Sequence, residues 1–184
     1  MLLDITLKIT PKMSSDAQNN QDRSLVGHLG THFDVMDKEF PLEYTRRQGI
    51  AFEVSAVQER EITAEDIDLN QVEAGMFVAF YSGYIERMEY GTKAYFAGHP
   101  QLAHELIDAL LDKGVSIIGM DCGGIRRGKE HVPADQCCAD RNCFVIENLC
   151  NLKLLAEHRW FVVHTYPMNF AGITGLPCRV IAEI

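Results

Sequence analysis

No stretch of the 184 residues approaches the ~20 consecutive apolar positions that a bilayer-spanning helix requires. The opening Met1-Leu2-Leu3-Asp4-Ile5 lacks a basic flank and sets an acid inside what would be the apolar segment. A secretory signal is therefore not expected, and the expected compartment is the cytoplasm. Positive charge is also scarce: 17 Lys and Arg against 26 Asp and Glu leave a formal charge of −9. General affinity for nucleic acid or an anionic membrane needs clustered cations, so neither partner is expected. A local basic patch is expected only around Arg126, Arg127 and Lys129, which leaves the global argument standing. Six cysteines are present, but no C-x-x-C pair occurs among Cys137, Cys138, Cys143 and Cys150. Without that spacing a structural zinc site is not expected, and without export neither are disulfides. Buried thiols acting as small apolar residues are the plainer reading, with a redox or metal-storage role for this cluster as the rival.

What is present is the composition of a globular protein, 47% hydrophobic and 23% charged, with a length that suits one domain over residues 1–184. Leu3, Ile5, Leu7 and Ile9 alternate with polar residues, which predicts a half-buried strand from Leu2 to Thr10. The polar run from Pro11 to Arg23 reads as a loop. Strands are expected over Ser24–Val35 and Gly49–Val57, with a loop or short helix between them over Asp37–Gln48. Thr63-Ala64-Glu65-Asp66 has the pattern of a capped helix start. Met76 to Tyr81 and Val115 to Asp121 are short continuous apolar runs of the kind found in strands covered on both faces, and Asp121 ends the second with a carboxylate. Pro100 to Lys113 carries leucines at helical spacing, with Pro100 suited to a first turn and Gly114 to the position after the helix. Cys143–Leu149 is another apolar run, Asn151–Glu157 a helical turn, and Arg159–Thr165 and Cys178–Ile184 terminal strands. Strands alternating with few helices make the class α/β.

Three metal-type ligands, His28, His32 and Asp34, fall within seven residues. Imidazole and carboxylate are the donors that zinc and its first-row neighbours take, and catalytic sites often leave one position open. A helix is disfavoured by Gly27, Gly30 and Thr31. An extended segment points all three side chains the same way, but at roughly 3.3 Å per residue it separates His28 from Asp34 by about 20 Å. Either the chain bends near Gly30, or His32 and Asp34 share one ion while His28 serves a second.

The order His28-x-Gly30-Thr31-His32-x-Asp34 resembles the metal-binding signature of the cyclase family, which includes the bacterial kynurenine formamidases. Further on, Ser82-Gly83-Tyr84, His99-Pro100 with its amphipathic helix, and Gly119-Met120-Asp121 are similar to family elements in the family's order. So are Glu147-Asn148-Leu149-Cys150-Asn151-Leu152 and the C-terminal Pro167, Gly175, Pro177, Arg179 and Ala182. The resemblance implies a swivelling β/β/α single domain of the cyclase/kynurenine formamidase type, assembled as a homo-oligomer, dimer or tetramer. It implies a divalent metal, zinc before manganese, with Glu147 joining the first three ligands. Two positions depart from the pattern. Lys38 stands where the family has its catalytic histidine, and Asp135 stands twelve residues before Glu147, where a family histidine ligand stands. His131 is four residues too early for that place. The expected ligand set is thus His28, His32, Asp34, Asp135 and Glu147. The expected base is Asp37, with Lys38 the alternative because an ammonium must first lose its proton. The implied activity is hydrolysis of an amide, formamide or lactam C–N bond in a small molecule, with Phe33, Tyr81, Tyr84 and Trp160 available to line an apolar pocket. The alternative is a non-catalytic binder of a small ligand or metal on the same fold.

Overall fold

A computed structural model describes residues 1–18, 27–158 and 160–184. Its strands are β1 (Leu2–Asp4), β2 (His32–Asp34), β3 (Arg46–Glu53), β4 (Phe77–Tyr81), β5 (Ile117–Met120), β6 (Phe144–Glu147), β7 (Phe161–Pro167) and β8 (Gly175–Glu183). They form one sheet in the order β1-β8-β2-β6-β5-β4-β3-β7. Because β8 pairs with β7 as well as with β2, the sheet curls back on itself and closes. The stretch from β3 to β6 is parallel, and β1, β2, β7 and β8 join it antiparallel.

The inner parallel strands β4, β5 and β6 are buried on both faces because their side chains alternate between two cores. On β4, Val78 and Phe80 pack into one cluster, while Phe77, Ala79 and Tyr81 pack into the other. Neighbouring β5 divides the same way, Ile118 and Met120 against Ile117. The first cluster is closed by α4 (His104–Asp112), whose Leu106, Ile107, Leu110 and Leu111 face inward. Gly114, at φ +74°, lets the chain leave that helix and enter β5. The second cluster is closed by Leu152 and Leu155 of α6 (Leu152–Ala156) and by Phe161, Val163, Val180 and Ala182 of the antiparallel strands.

Several sequence expectations shift in detail. Leu3, Ile5, Leu7 and Ile9 keep their inward alternation, but ladder pairing stops at Asp4 apart from a bridge from Thr6 to Leu149. Pro11–Gln18 is a helix, α1, rather than a loop, and residues 19–23 lie outside the described residues. Ser24–Val26, the start of the predicted motif strand, and Arg159 also lie outside them. Pro100 is not in the first turn of α4; Leu102 bridges Ile62 first, and the helix opens at His104. Thr63–Asp66 makes a single 3-10 turn, in which Asp66 accepts the Thr63 N–H at 2.7 Å. Three helices had no sequence expectation: α2 (Tyr84–Arg87), α3 (Lys93–Gly98) and α5 (His131–Asp140). The last two build the walls of the site.

Candidate metal centre

The chain does bend at Gly30. Gly27 and Gly30 have φ of +82° and +74°, conformations that a side chain resists. At Gly27 there is a second reason: a Cβ would lie 1.9 Å from the Gly175 carbonyl oxygen. This turn brings His28 back over β2, so that its Nε2 lies 3.1 Å from Asp34 Oδ1. On β2 itself, His32 and Asp34 are two apart and share a face, and His32 Nε2 lies 3.7 Å from the same Asp34 oxygen. Antiparallel pairing sets Glu147 of β6 directly opposite His32, with 3.5 Å between Oε2 and Nε2.

The fourth wall is α5. Residues four apart on a helix share a face, so His131 and Asp135 both point at the cluster. His131 Nε2 lies 3.5 Å from Asp135 Oδ2 and 3.7 Å from Glu147 Oε1. Two overlapping sets result, His28–His32–Asp34 and Asp34–His131–Asp135–Glu147, each with ligand atoms within 4.8 Å of one another. Asp34 belongs to both.

A buried hydrogen-bond chain fixes the imidazoles. His32 Nδ1 donates to the Gly30 carbonyl at 2.9 Å; a carbonyl only accepts, so Nδ1 carries the proton and Nε2 presents its lone pair to the cluster. The same carbonyl accepts Asn148 Nδ2 at 3.0 Å, and the Tyr95 hydroxyl donates to Asn148 Oδ1 at 2.8 Å. Thr31 Oγ1 donates to the Asn148 carbonyl, and the Gly30 N–H donates to the Tyr90 hydroxyl. His131 follows the same rule, with Nδ1 donating to the Arg126 carbonyl at 3.2 Å and Nε2 turned inward.

The residues present fit a divalent cation. Asp34 Oδ2, Asp135 Oδ1 and Glu147 Oε1 are buried with no hydrogen-bond partner among the described residues, a costly state for a carboxylate unless a cation completes it. Donor separations of 3.1–3.7 Å match the ~3.3 Å edge of a tetrahedron with ~2.0 Å metal bonds. Burial pushes the His32 imidazole down, which keeps it neutral and able to ligate. Burial works against ionised Asp34, yet the hydrogen bond from His28 helps to hold its carboxyl below the usual range. Asp135 and Glu147 are pushed well up, first by burial and then by the Asp34 charge. Three acids crowded in this way call for positive charge.

His28, His32, His131 and Glu147 open onto a cavity of about 870 Å³, with Asp34 and Asp135 behind them. His99 also lines it, buried, with Nδ1 donating to the Pro100 carbonyl at 2.8 Å and its pKa pushed down to about 4 by burial.

All five expected ligands are thus brought together, and His131 joins them. Counting twelve residues back from Glu147 selects Asp135 alone; the helical i, i+4 relation shows that His131, one turn earlier, reaches the same point. The expected bases are not brought there. Lys38 Nζ pairs with Asp140 at 2.7 Å and Asp37 at 3.0 Å, and Gln136 Nε2 donates to Asp37 at 2.8 Å. Both residues line a separate cleft beside Phe40 and Phe170. Hydrogen bonds from Gln136 and Lys38 lower the Asp37 pKa, which makes it a weaker base, and those to Asp140 and Asp37 raise that of Lys38, which keeps it protonated and unable to accept a proton. The expected aromatic lining also differs. Phe33, Tyr81 and Tyr84 are buried in the cores, Trp160 packs against one of them, and Phe96 of α3 faces the cavity instead. Asp121 accepts the Ser82 and Gly83 N–H groups and the Ser82 hydroxyl, which holds the end of β4 to the start of α2. Arg126 is buried between Glu61 and Glu130 rather than part of a basic patch.

The family model described as "Putative cyclase" matches residues 3–126, and the chain belongs to this family. Among curated proteins no sequence match was found. A solved structure described as a potential metal-dependent hydrolase with cyclase activity is 20% identical, with a TM-score of 0.75 over 99% of this chain and 96% of that one. Isatin hydrolase A from Ralstonia solanacearum is 17% identical, with a TM-score of 0.77 over 100% and 92%. Isatin hydrolase A from Labrenzia aggregata is 18% identical, with a TM-score of 0.76 over 100% and 93%. At such identities the likeness is one of fold, and the fold is the α/β cyclase type.

Proposed function

We propose that the protein is a metal-dependent hydrolase acting on an amide, formamide or lactam C–N bond of a small molecule. The observation that carries this reading is the convergence of His28, His32, Asp34, His131, Asp135 and Glu147, with three orphaned carboxylate oxygens, beneath one open cavity. The hydrolases among the structures of this fold support it. Mixed imidazole and carboxylate donors favour zinc, with manganese second. His28, His32 and Asp34 supply three ligands, the number that leaves a catalytic zinc one open position. When bound, such an ion supplies Lewis acidity, which lowers the pKa of water from about 15.7 towards about 7.

The chain's own residues do the rest. Asn148 and the Gly30 carbonyl hold His32 in its ligating tautomer. Glu147 and His131 face the cavity beside the three ligands and are the groups placed to take a proton from water and return it to the leaving nitrogen, since Asp37 and Lys38 do not reach. In this one-ion arrangement they are proton carriers; a second ion in the second set would make them ligands. Metal analysis separates the two at one or two ions per chain. The hydrolase reading is tested by bound metal and amide hydrolysis in wild type and His32→Ala. Metal-free wild type, or equal turnover in both, ends it.

One observation favours a second reading, a non-catalytic binder: the position of the family's histidine is a lysine locked into surface ion pairs. Ligand-induced thermal shifts with no turnover of any amide would select it. A homo-oligomer, dimer or tetramer, is proposed with either reading. Leu42, Tyr166, Met168 and Phe170 support it, being at least half exposed around the second cleft. Sedimentation at the monomer mass would refute it. No helix among the described residues is long and apolar enough to cross a membrane, and the proposed compartment remains the cytoplasm.

A further inference from the structure

The cavity has a second chemical feature, on the wall that α3 and Arg127 build. Lys93, Phe96 and Ala97 sit on one face of α3, three and four residues apart, and line it together. Arg127 lines it beside them, anchored at both ends: its N–H donates to Gln101 Oε1 at 2.8 Å and its Nη1 donates to the Ala97 carbonyl at 3.1 Å. The guanidinium is thereby aimed, while Nε and Nη2 have no acceptor among the described residues. Lys93 has no carboxylate partner among them either. Glu130 is an acid on the same wall; it shares the buried Arg126 with Glu61, and Arg126 donates to it from Nε at 3.1 Å. This trio keeps one negative charge, and Glu130 faces its own cation rather than Arg127 or Lys93. A chain of net charge −9 thus presents, at this one cavity, two cations with no carboxylate partner of their own among the described residues.

We propose that this wall is an anion subsite and that the substrate carries a carboxylate on an apolar body. Arg127 and Lys93 receive the carboxylate, the body lies on Phe96 and Ala97, and the reactive carbonyl is left facing His28 and His32. An Arg fork matches a carboxylate geometrically, and charge-assisted bonds in a recessed site outweigh those in water. The word substrate rests on the hydrolase reading; the subsite itself is measured by binding alone.

The probes are benzoate and its neutral isostere benzamide, titrated calorimetrically into wild type, Arg127→Gln and Lys93→Gln as isolated with their metal. Arg127→Gln keeps the backbone N–H bond to Gln101, and Lys93 is exposed at the start of α3, so both replacements spare the fold. Wild type is expected to bind benzoate at least ~10-fold more tightly than benzamide. Arg127→Gln is expected to remove most of that preference, Lys93→Gln part of it, and added salt to weaken benzoate alone. Equal affinity for the two probes in wild type overturns the proposal. So does a preference for benzoate that both variants retain, which would place the anion on the metal instead. An Arg127-dependent preference in a protein that hydrolyses no amide upholds the subsite while removing the hydrolase reading.

Discussion

Replacing Asn148 with alanine tests whether His32 is held by the buried hydrogen-bond chain. Asn148 is buried at φ +58°, a left-handed conformation that asparagine tolerates and alanine resists by ~1 kcal/mol. Its amide joins the Tyr95 hydroxyl, at 2.8 Å, to the Gly30 carbonyl, at 3.0 Å. Without it the fully buried Tyr95 hydroxyl loses its acceptor, at a cost of ~1–3 kcal/mol. The sum is ~2–4 kcal/mol, which for a chain of this length lowers Tm by roughly 5–15 °C. Partners of this kind fix the orientation of metal-ligating histidines, so metal affinity should fall ~10–100-fold. Urea denaturation gives the first number and chelator competition the second. Asn148→Gly separates the two causes, because it relieves the backbone strain but restores no hydrogen bond. It should therefore recover part of the stability and none of the metal affinity. An alanine variant within ~0.5 kcal/mol of wild type, with metal affinity unaltered, would refute the reasoning.

Other consequences follow from neighbouring features. Gly27→Ala forces a Cβ to within 1.9 Å of the Gly175 carbonyl at positive φ, so the turn must open; metal content should drop even in folded protein, as read by circular dichroism and metal analysis together. Lys38→Ala breaks only exposed ion pairs to Asp37 and Asp140, so metal content and any turnover should stay within about twofold of wild type, and a large loss would restore Lys38 to the site. Hydrogen bonds from Arg60 hold the Asp66 carboxyl well below its ordinary value. A depressed folded pKa stabilises the protein above the unfolded value near ~4 and is lost as pH falls through the folded one. Arg60→Ala should therefore lower stability at pH 6 only slightly, because Arg60 is 58% exposed, and flatten the acid side of the stability curve. Urea denaturation across about pH 2–6 reads this, and an unchanged curve would refute it.

The sequence was most legible where period and burial agree. Met76–Tyr81 and Val115–Asp121 read as strands covered on both faces because continuous apolar runs have no other economical use in a chain this short. The first three ligands were legible because they are local, and one glycine bend reconciles their spacing with a single ion. Glu147 came only through the family resemblance; what places it is antiparallel pairing with a strand 115 residues away, a register that no local pattern encodes. His131 was missed because positions were counted linearly, whereas α5 brings every fourth residue to one face. Its sequence carries Pro133 and an uneven apolar pattern, so it does not announce itself as a helix. The misplaced bases share a cause of the same kind. Asp37 and Lys38 are near the ligands in sequence, but Met36, at φ +56°, turns the chain, and helix-borne Gln136 and Asp140 hold both side chains in the neighbouring cleft.

The central claim is that six side chains from three separate segments, residues 28–34, α5 and β6, enclose a cation. Elemental analysis of the purified protein, with an anomalous map of its crystals, tests it most directly. The account predicts at least one zinc or manganese per chain, within ~2.0–2.2 Å of His28, His32 and Asp34, and lost in His32→Ala. A protein that remains metal-free after incubation with both ions, its carboxyl groups instead protonated and bonded to one another, would contradict it.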